Sequence, residues 1–138
     1  QHIAAEFVGM YAFDRPALSS IAFTTDTSML TAIGNDYGYD QIFRRQLEAN
    51  GREGDVFIGI STSGNSPNVI AALERSRELG IVSAGLTGQG GGKMRSVCDY
   101  CIRIPSESTP RIQECHILVG HIICGMVEDT LIGGPISQ

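Results

Sequence analysis

The chain has 138 residues, 42% of them hydrophobic and 18% charged, with a mean hydropathy of +0.03. That is the size and composition of one globular domain with a real core, which excludes a disordered or fibrous chain. The net charge of −5 comes from 15 acidic and 10 basic residues, and the basic ones are scattered, which argues against a nucleic-acid footprint. The longest apolar run, residues 117–127, is broken by His121 and is about half the length that crosses a bilayer, so no membrane span is expected, and no signal peptide is visible.

In chain order, the opening Gln-His-Ile-Ala-Ala-Glu-Phe-Val carries neither an initiator Met nor a capping residue and reads as the interior of a helix. Short β-branched apolar runs then alternate with helical patterns. Strands are expected at 20–24, 56–60, 82–86 and 100–104, and helices at 28–34, 41–49, 67–79, 93–97 and 110–130. This alternation is the sequence form of an α/β domain. The runs are apolar throughout, as in a parallel sheet covered on both faces. Right-handed crossovers would build a three-layer, flavodoxin- or Rossmann-like sandwich.

The most informative segment is Val-Phe-Ile-Gly-Ile-Ser-Thr-Ser-Gly-Asn-Ser-Pro-Asn-Val-Ile, beginning at Val56. A strand runs into a hydroxyl-rich turn, and Ser66 followed by Pro67 reads as an N-cap with proline at the first helical position. Free backbone N–H groups and the positive end of the helix dipole gather at such a place, so it suits an anion. Ser61, Thr62, Ser63 and Ser66 offer more hydroxyls than capping requires, and Gly64 lets the backbone come close. A phosphate monoester is the natural guest.

The glycine-rich stretch Gly85-Leu-Thr-Gly-Gln-Gly-Gly-Gly-Lys-Met fails as a nucleotide loop. A Walker sequence needs Gly where Thr87 stands and Ser or Thr where Met94 stands, so the stretch reads as a flexible turn bordering the site. Cys98 and Cys101 have redox spacing, but the pair leads into a strand instead of opening a helix. Cys115 and Cys124 lie about 180° apart round the last helix. All four cysteines are read as structural, reduced thiols.

Among titratable groups, His2 and Glu6 are four apart and share one helix face. On the last helix Gln113 and His121 fall within about 80° of each other, whereas His116 is some 140° from His121. His116 is expected to pack elsewhere.

Four segments, Gln-His-Ile-Ala-Ala-Glu-Phe, Thr-Thr-Asp-Thr-Ser-Met-Leu-Thr-Ala-Ile-Gly-Asn-Asp-Tyr-Gly, Gly-Ile-Ser-Thr-Ser-Gly-Asn-Ser-Pro-Asn-Val and Arg-Ile-Gln-Glu-Cys-His-Ile-Leu-Val-Gly-His, together resemble the phosphoheptose isomerases of the sugar isomerase (SIS) domain family, in the same order and over nearly the whole chain. The resemblance implies conversion of D-sedoheptulose 7-phosphate to D-glycero-D-manno-heptose 7-phosphate through an enediol(ate), the first step toward activated heptose for bacterial surface polysaccharide. It implies a phosphate loop of Ser61, Thr62, Ser63 and Ser66, sugar-hydroxyl contacts from Asn35 and Asp36 in a Gly-Asn-Asp-Tyr-Gly turn, and an acid/base pair of Glu6 and His121. His2, Glu6, Gln113 and His121 match the ligands of one zinc ion per subunit, with Glu6 and Gln113 also at the substrate; no nucleotide cofactor is implied. A cytoplasmic homotetramer acting on a sugar phosphate, without nucleic acid or membrane, is the implied setting.

SIS domains also serve as binding modules. The alternative is a non-catalytic protein resembling the bacterial replication initiator-associating protein. That group lacks the Glu and His found here at Glu6 and His121. Against the family pattern, residues 1–138 read as a single SIS domain short of an N-terminal helix and first strand.

Overall fold

The computed structural model describes residues 1–133; the last five positions of the expected domain lie outside them. The chain divides into two compact units, one formed by Gln1–Thr25 with the chain from Ile117 onward, the other by Asp26–His116.

The second unit holds the α/β layers. Three parallel strands, β1 (Val56–Ile60), β2 (Val82–Thr87) and β3 (Tyr100–Arg103), lie in sequence order, with Val56 level with Val82 and Ala84 level with Tyr100. An α-helix follows each of the first two strands, α4 (Pro67–Glu78) and α5 (Met94–Val97), as parallel pairing demands. Val69 and Leu73 of α4 pack with Met94 and Cys98 as the buried core, flanked by Phe43, Phe57 and Ile70. Gly59 on β1 leaves room for α4, because a Cβ there would stand 2.9 Å from the Val69 side chain. The sheet is less covered than its all-apolar strands suggest. β2 is mostly buried, but Val56, Ile60, Tyr100 and Ile102 on the outer strands are exposed.

Ahead of the sheet come α2 (Thr27–Tyr37), a 3-10 turn (Tyr39–Gln41) and α3 (Ile42–Asn50). Asp26 caps α2 by accepting from the Met29 amide at 2.8 Å, satisfying one of the free N–H groups of its first turn. The helix runs past Gly34 through Asn35 and Asp36 to Tyr37. The expected Gly-Asn-Asp-Tyr-Gly turn is therefore the last turn of a helix, with only Gly38 (φ 91°) outside it. Asx residues are acceptable in a helix when their side chains face solvent, as these do.

The first unit contains α1 (His2–Val8) and most of the 24-residue α6 (Thr109–Ile132). The expected strand at 20–24 does not form: these residues belong to no sheet and end in a turn, where the Thr25 hydroxyl donates to Ala22 O. Its β-branched composition is a preference for a pleated surface, and a strand forms only where a ladder partner is offered. By length and mean hydropathy (1.4) α6 alone among the described helices matches a membrane span, longer than the run 117–127 suggests. His116 and Glu128 on it are buried and Glu128 is ion-paired, while Leu118, Ile122 and Met126 are exposed.

Candidate active site

In the first unit, α1 and α6 bring three ligand-bearing side chains together. His2 Nε2 stands 3.1 Å from Glu6 Oε1 and 2.9 Å from His121 Nε2. The first contact follows from i, i+4 spacing on α1; the second joins residues 119 positions apart. The three ligand atoms all lie within 4.8 Å of one another. Glu6 and His121 are half-buried and His2 is exposed, so the cluster opens to solvent on one side.

The donor set fits a cation. Two imidazole nitrogens and a carboxylate oxygen face a common point, where one proton satisfies a single pair and a metal satisfies all three. Tetrahedral zinc with bonds near 2.0–2.1 Å places its ligand atoms about 3.4 Å apart, slightly more than the two separations from His2. Three protein ligands and an open side are also the pattern of a zinc site able to take substrate. Gln113, eight residues before His121 on α6, is exposed and is not a member of the three-residue cluster.

In the second unit, residues 61–66 form the turn between β1 and α4. Ser66 occupies the cap position of α4, yet its hydroxyl makes no capping bond. It pairs instead with the Ser61 hydroxyl at 2.8 Å, and Ser61 lies 3.4 Å from the Ser63 hydroxyl. The backbone N–H groups of Thr62, Ser63 and Ser66 make no hydrogen bond among the described residues. Clustered hydroxyls and free amides at a helix N-terminus are the equipment of an anion site.

The glycine-rich turn borders this loop and braces it. Met94 N donates to Gly64 O at 3.0 Å, and Lys93 N to the Asn65 side-chain oxygen at 3.0 Å. Gly64 has φ 66°, and a Cβ there would stand 2.1 Å from Gly91 O, so no other residue fits. Asn35 and Asp36, at the exposed end of α2, hydrogen-bond to each other at 2.7 Å and not to the loop.

His116 is buried, with Nε2 donating to Thr87 O at 3.1 Å. It is a core histidine separate from the cluster, as its angle on the helix implied. The four cysteines are free. Burial raises the Cys98 thiol above its usual value, and the neighbouring Cys101 adds to the rise. Cys98 also donates to Met94 O, so it stays a thiol at neutral pH, unsuited to redox exchange.

Sequence reasoning passed over Arg15 and Glu128, whose side chains are buried and paired at 2.9 Å. It also passed over Tyr11, whose ring centre lies 5.7 Å from that of His121. A signal was present: Glu128 is an acidic residue in an apolar helix, two turns after His121. Nothing in the sequence tied it to Arg15.

The sequence and the fold have known counterparts. A SIS domain model matches residues 1–88. The chain is 66% identical over 131 residues to the phosphoheptose isomerase of Aneurinibacillus thermoaerophilus, covering 95% of this chain and 66% of that one. The chain belongs to the SIS domain family, among its phosphoheptose isomerases. Phosphoheptose isomerase 2 of Campylobacter jejuni subsp. jejuni is 63% identical over 137 residues, 99% of this chain and 68% of its own. The phosphoheptose isomerase structure from Neisseria gonorrhoeae superposes with a TM-score of 0.86 at 47% identity, covering 93% of this SIS chain and 68% of that chain. The chain thus spans about two thirds of the length of the curated relatives it matches.

Proposed function

We propose that the protein is an aldose–ketose isomerase that converts D-sedoheptulose 7-phosphate to D-glycero-D-manno-heptose 7-phosphate, the first step toward activated heptose for bacterial surface polysaccharide. The observation that carries this reading is the convergence of Glu6 and His121 with His2: a carboxylate and an imidazole at one point are the groups that an enediol mechanism needs. Relatives named phosphoheptose isomerase at 63–66% identity support it.

The reaction is redox-neutral. A base takes a proton from C1 of the open-chain ketose, electrons move to form a cis-enediol(ate), and a proton returns at C2 to leave the aldehyde at C1. Glu6 acts as the C1 base, and His121 exchanges protons with the substrate oxygens. The phosphate is held by the hydroxyls of Ser61, Thr62, Ser63 and Ser66 and the free amides of that loop. Asn35, Asp36 and Gln113 contact the sugar.

His2, Glu6 and His121, with Gln113 as a fourth ligand, would hold one zinc ion per subunit. Bound zinc supplies charge stabilisation to an oxygen that becomes negative. A cytoplasmic homotetramer completes the proposal, without nucleic acid, membrane or nucleotide cofactor.

The test is turnover of sedoheptulose 7-phosphate by the full-length protein, with and without a chelator. Formation of the aldose phosphate is expected, with activity lost on chelation and restored by zinc. Binding of the sugar phosphate without any turnover would overturn the isomerase reading in favour of a non-catalytic binding protein.

A further inference from the structure

α1 is a weak platform for two ligand-bearing side chains. It has seven residues, no side-chain N-cap and no buried residue, and helices this short have little stability of their own. Something else must hold His2 and Glu6 at hydrogen-bonding distance from His121.

The buried guanidinium of Arg15 meets the last turn of α1 and its exit. Its Nη2 donates to Glu6 O at 2.8 Å, and its Nη1 to Phe7 O at 2.7 Å and to Gly9 O and Pro16 O at 3.2 Å each. These include carbonyls that a helix C-terminus leaves unpaired. The remaining donor, Nε, reaches Glu128 Oε1 at 2.9 Å. Glu128 also accepts from the amides of Tyr11 (2.8 Å) and Ala12 (2.9 Å). Glu128 is seven residues after His121, which returns it to within about 20° of the same face of α6. Close packing completes the join: a Cβ on Gly120, next to His121, would stand 2.5 Å from the Ile3 side chain.

We propose that the Arg15–Glu128 ion pair is a positioning clamp that docks the C-terminal end of α1 on α6 and so assembles His2, Glu6 and His121 into a metal-binding geometry. The inference rests on the reading of that trio as a zinc site. Neither clamp residue is a member of the ligand trio. The planar five-donor guanidinium is the part lysine cannot supply, since one ammonium cannot span Glu128 and three separate carbonyls of the α1 exit.

Zinc affinity of the full-length protein, measured by competition with a chromophoric chelator, tests the clamp with Arg15→Lys and Glu128→Gln. Leu73→Ala, in the α4 core, controls for general destabilisation. Clamp variants that remain folded by circular dichroism are expected to bind zinc about 10–100-fold more weakly, and the control within about twofold of the parent. Folded clamp variants with parental zinc affinity would overturn the proposal. Where the variants do not fold, hydrogen exchange on the unmodified protein decides. Because coupling is reciprocal, zinc must slow exchange of the Tyr11 and Ala12 amides that bond Glu128, and unchanged exchange overturns the clamp. A parent protein that takes up no zinc overturns the metal reading itself, a result distinct from parental affinity in the variants.

Discussion

The loop at 61–66 and the His2–Glu6–His121 trio both gather polar atoms, and they are held in contrasting ways. The loop is fixed by backbone: it joins a paired strand to a 12-residue helix, its Gly64 carbonyl accepts from Met94 N, and Gly64 and Gly91 approach too closely for any side chain. The trio is fixed by side chains, through one ion pair and the short α1. Held by backbone, the proposed anion site would tolerate loss of a single hydroxyl. Held by side chains, the trio would depend on every member, and on residues outside it such as Arg15.

The largest expected effect is at the trio. Glu6→Gln keeps the shape of the side chain but removes the base, so turnover should fall by about 10²–10⁴-fold, while sugar-phosphate affinity, measured calorimetrically, stays close to the parent's. Near-normal turnover would remove Glu6 from proton transfer.

The loop breaks through its backbone before its hydroxyls. Gly64→Ala must both occupy a left-handed conformation and displace Gly91, which costs at least about 2 kcal/mol, read as a lower midpoint in urea and weaker phosphate binding. Ser66→Ala removes one of several donors and leaves the free amides in place. About a tenfold rise in KM is expected, with kcat little changed, since a hydrogen bond to a charged group contributes about 1.5–3 kcal/mol at most. A kcat loss as large as that of Glu6→Gln would erase the contrast between the two regions.

Acid sharpens the comparison. Burial by itself would raise the Glu128 carboxyl, but the Tyr11 and Ala12 amides and Arg15 outweigh it and hold the group below its usual value. In the second unit the Ser83 amide and then its hydroxyl hold Asp99 low. Carboxyls depressed in the folded state add stability above their unfolded pKa, near 4, and lose it as pH falls through the folded value. Acid titration should therefore lower stability from about pH 4 downward. Glu128→Gln should flatten that dependence in the first unit, read by exchange at Tyr11, and leave the Asp99 contribution intact. The smallest effect is at Cys98: its buried, hydrogen-bonded thiol should resist alkylation at pH 7 in the folded protein and react once unfolded.

The parts legible in the sequence were those governed by local rules. Ser66-Pro67 announced the start of α4, and the strand–turn–helix order announced the hydroxyl-rich turn between β1 and α4, because both depend on adjacent residues. His2 and Glu6 could be paired by spacing on one helix, and His116 could be set apart from His121 by angle. The strand expected at 20–24 failed because β preference does not supply a partner, and the turn expected around Asn35 and Asp36 proved helical because α2 continues to Gly38. Arg15 and Glu128 were missed for a related reason: 113 positions separate them, and Arg15 lies in an irregular segment with no period to reveal what it faces.

The most direct test of the isomerase account is the reaction of the zinc-loaded, full-length protein with sedoheptulose 7-phosphate in deuterated water, followed by NMR. The account predicts that glycero-manno-heptose 7-phosphate forms with solvent deuterium at C2, and that Glu6→Gln binds the substrate but exchanges and converts almost none of it. Absence of both product and exchange in the parent protein, or parental rates in Glu6→Gln, would contradict it.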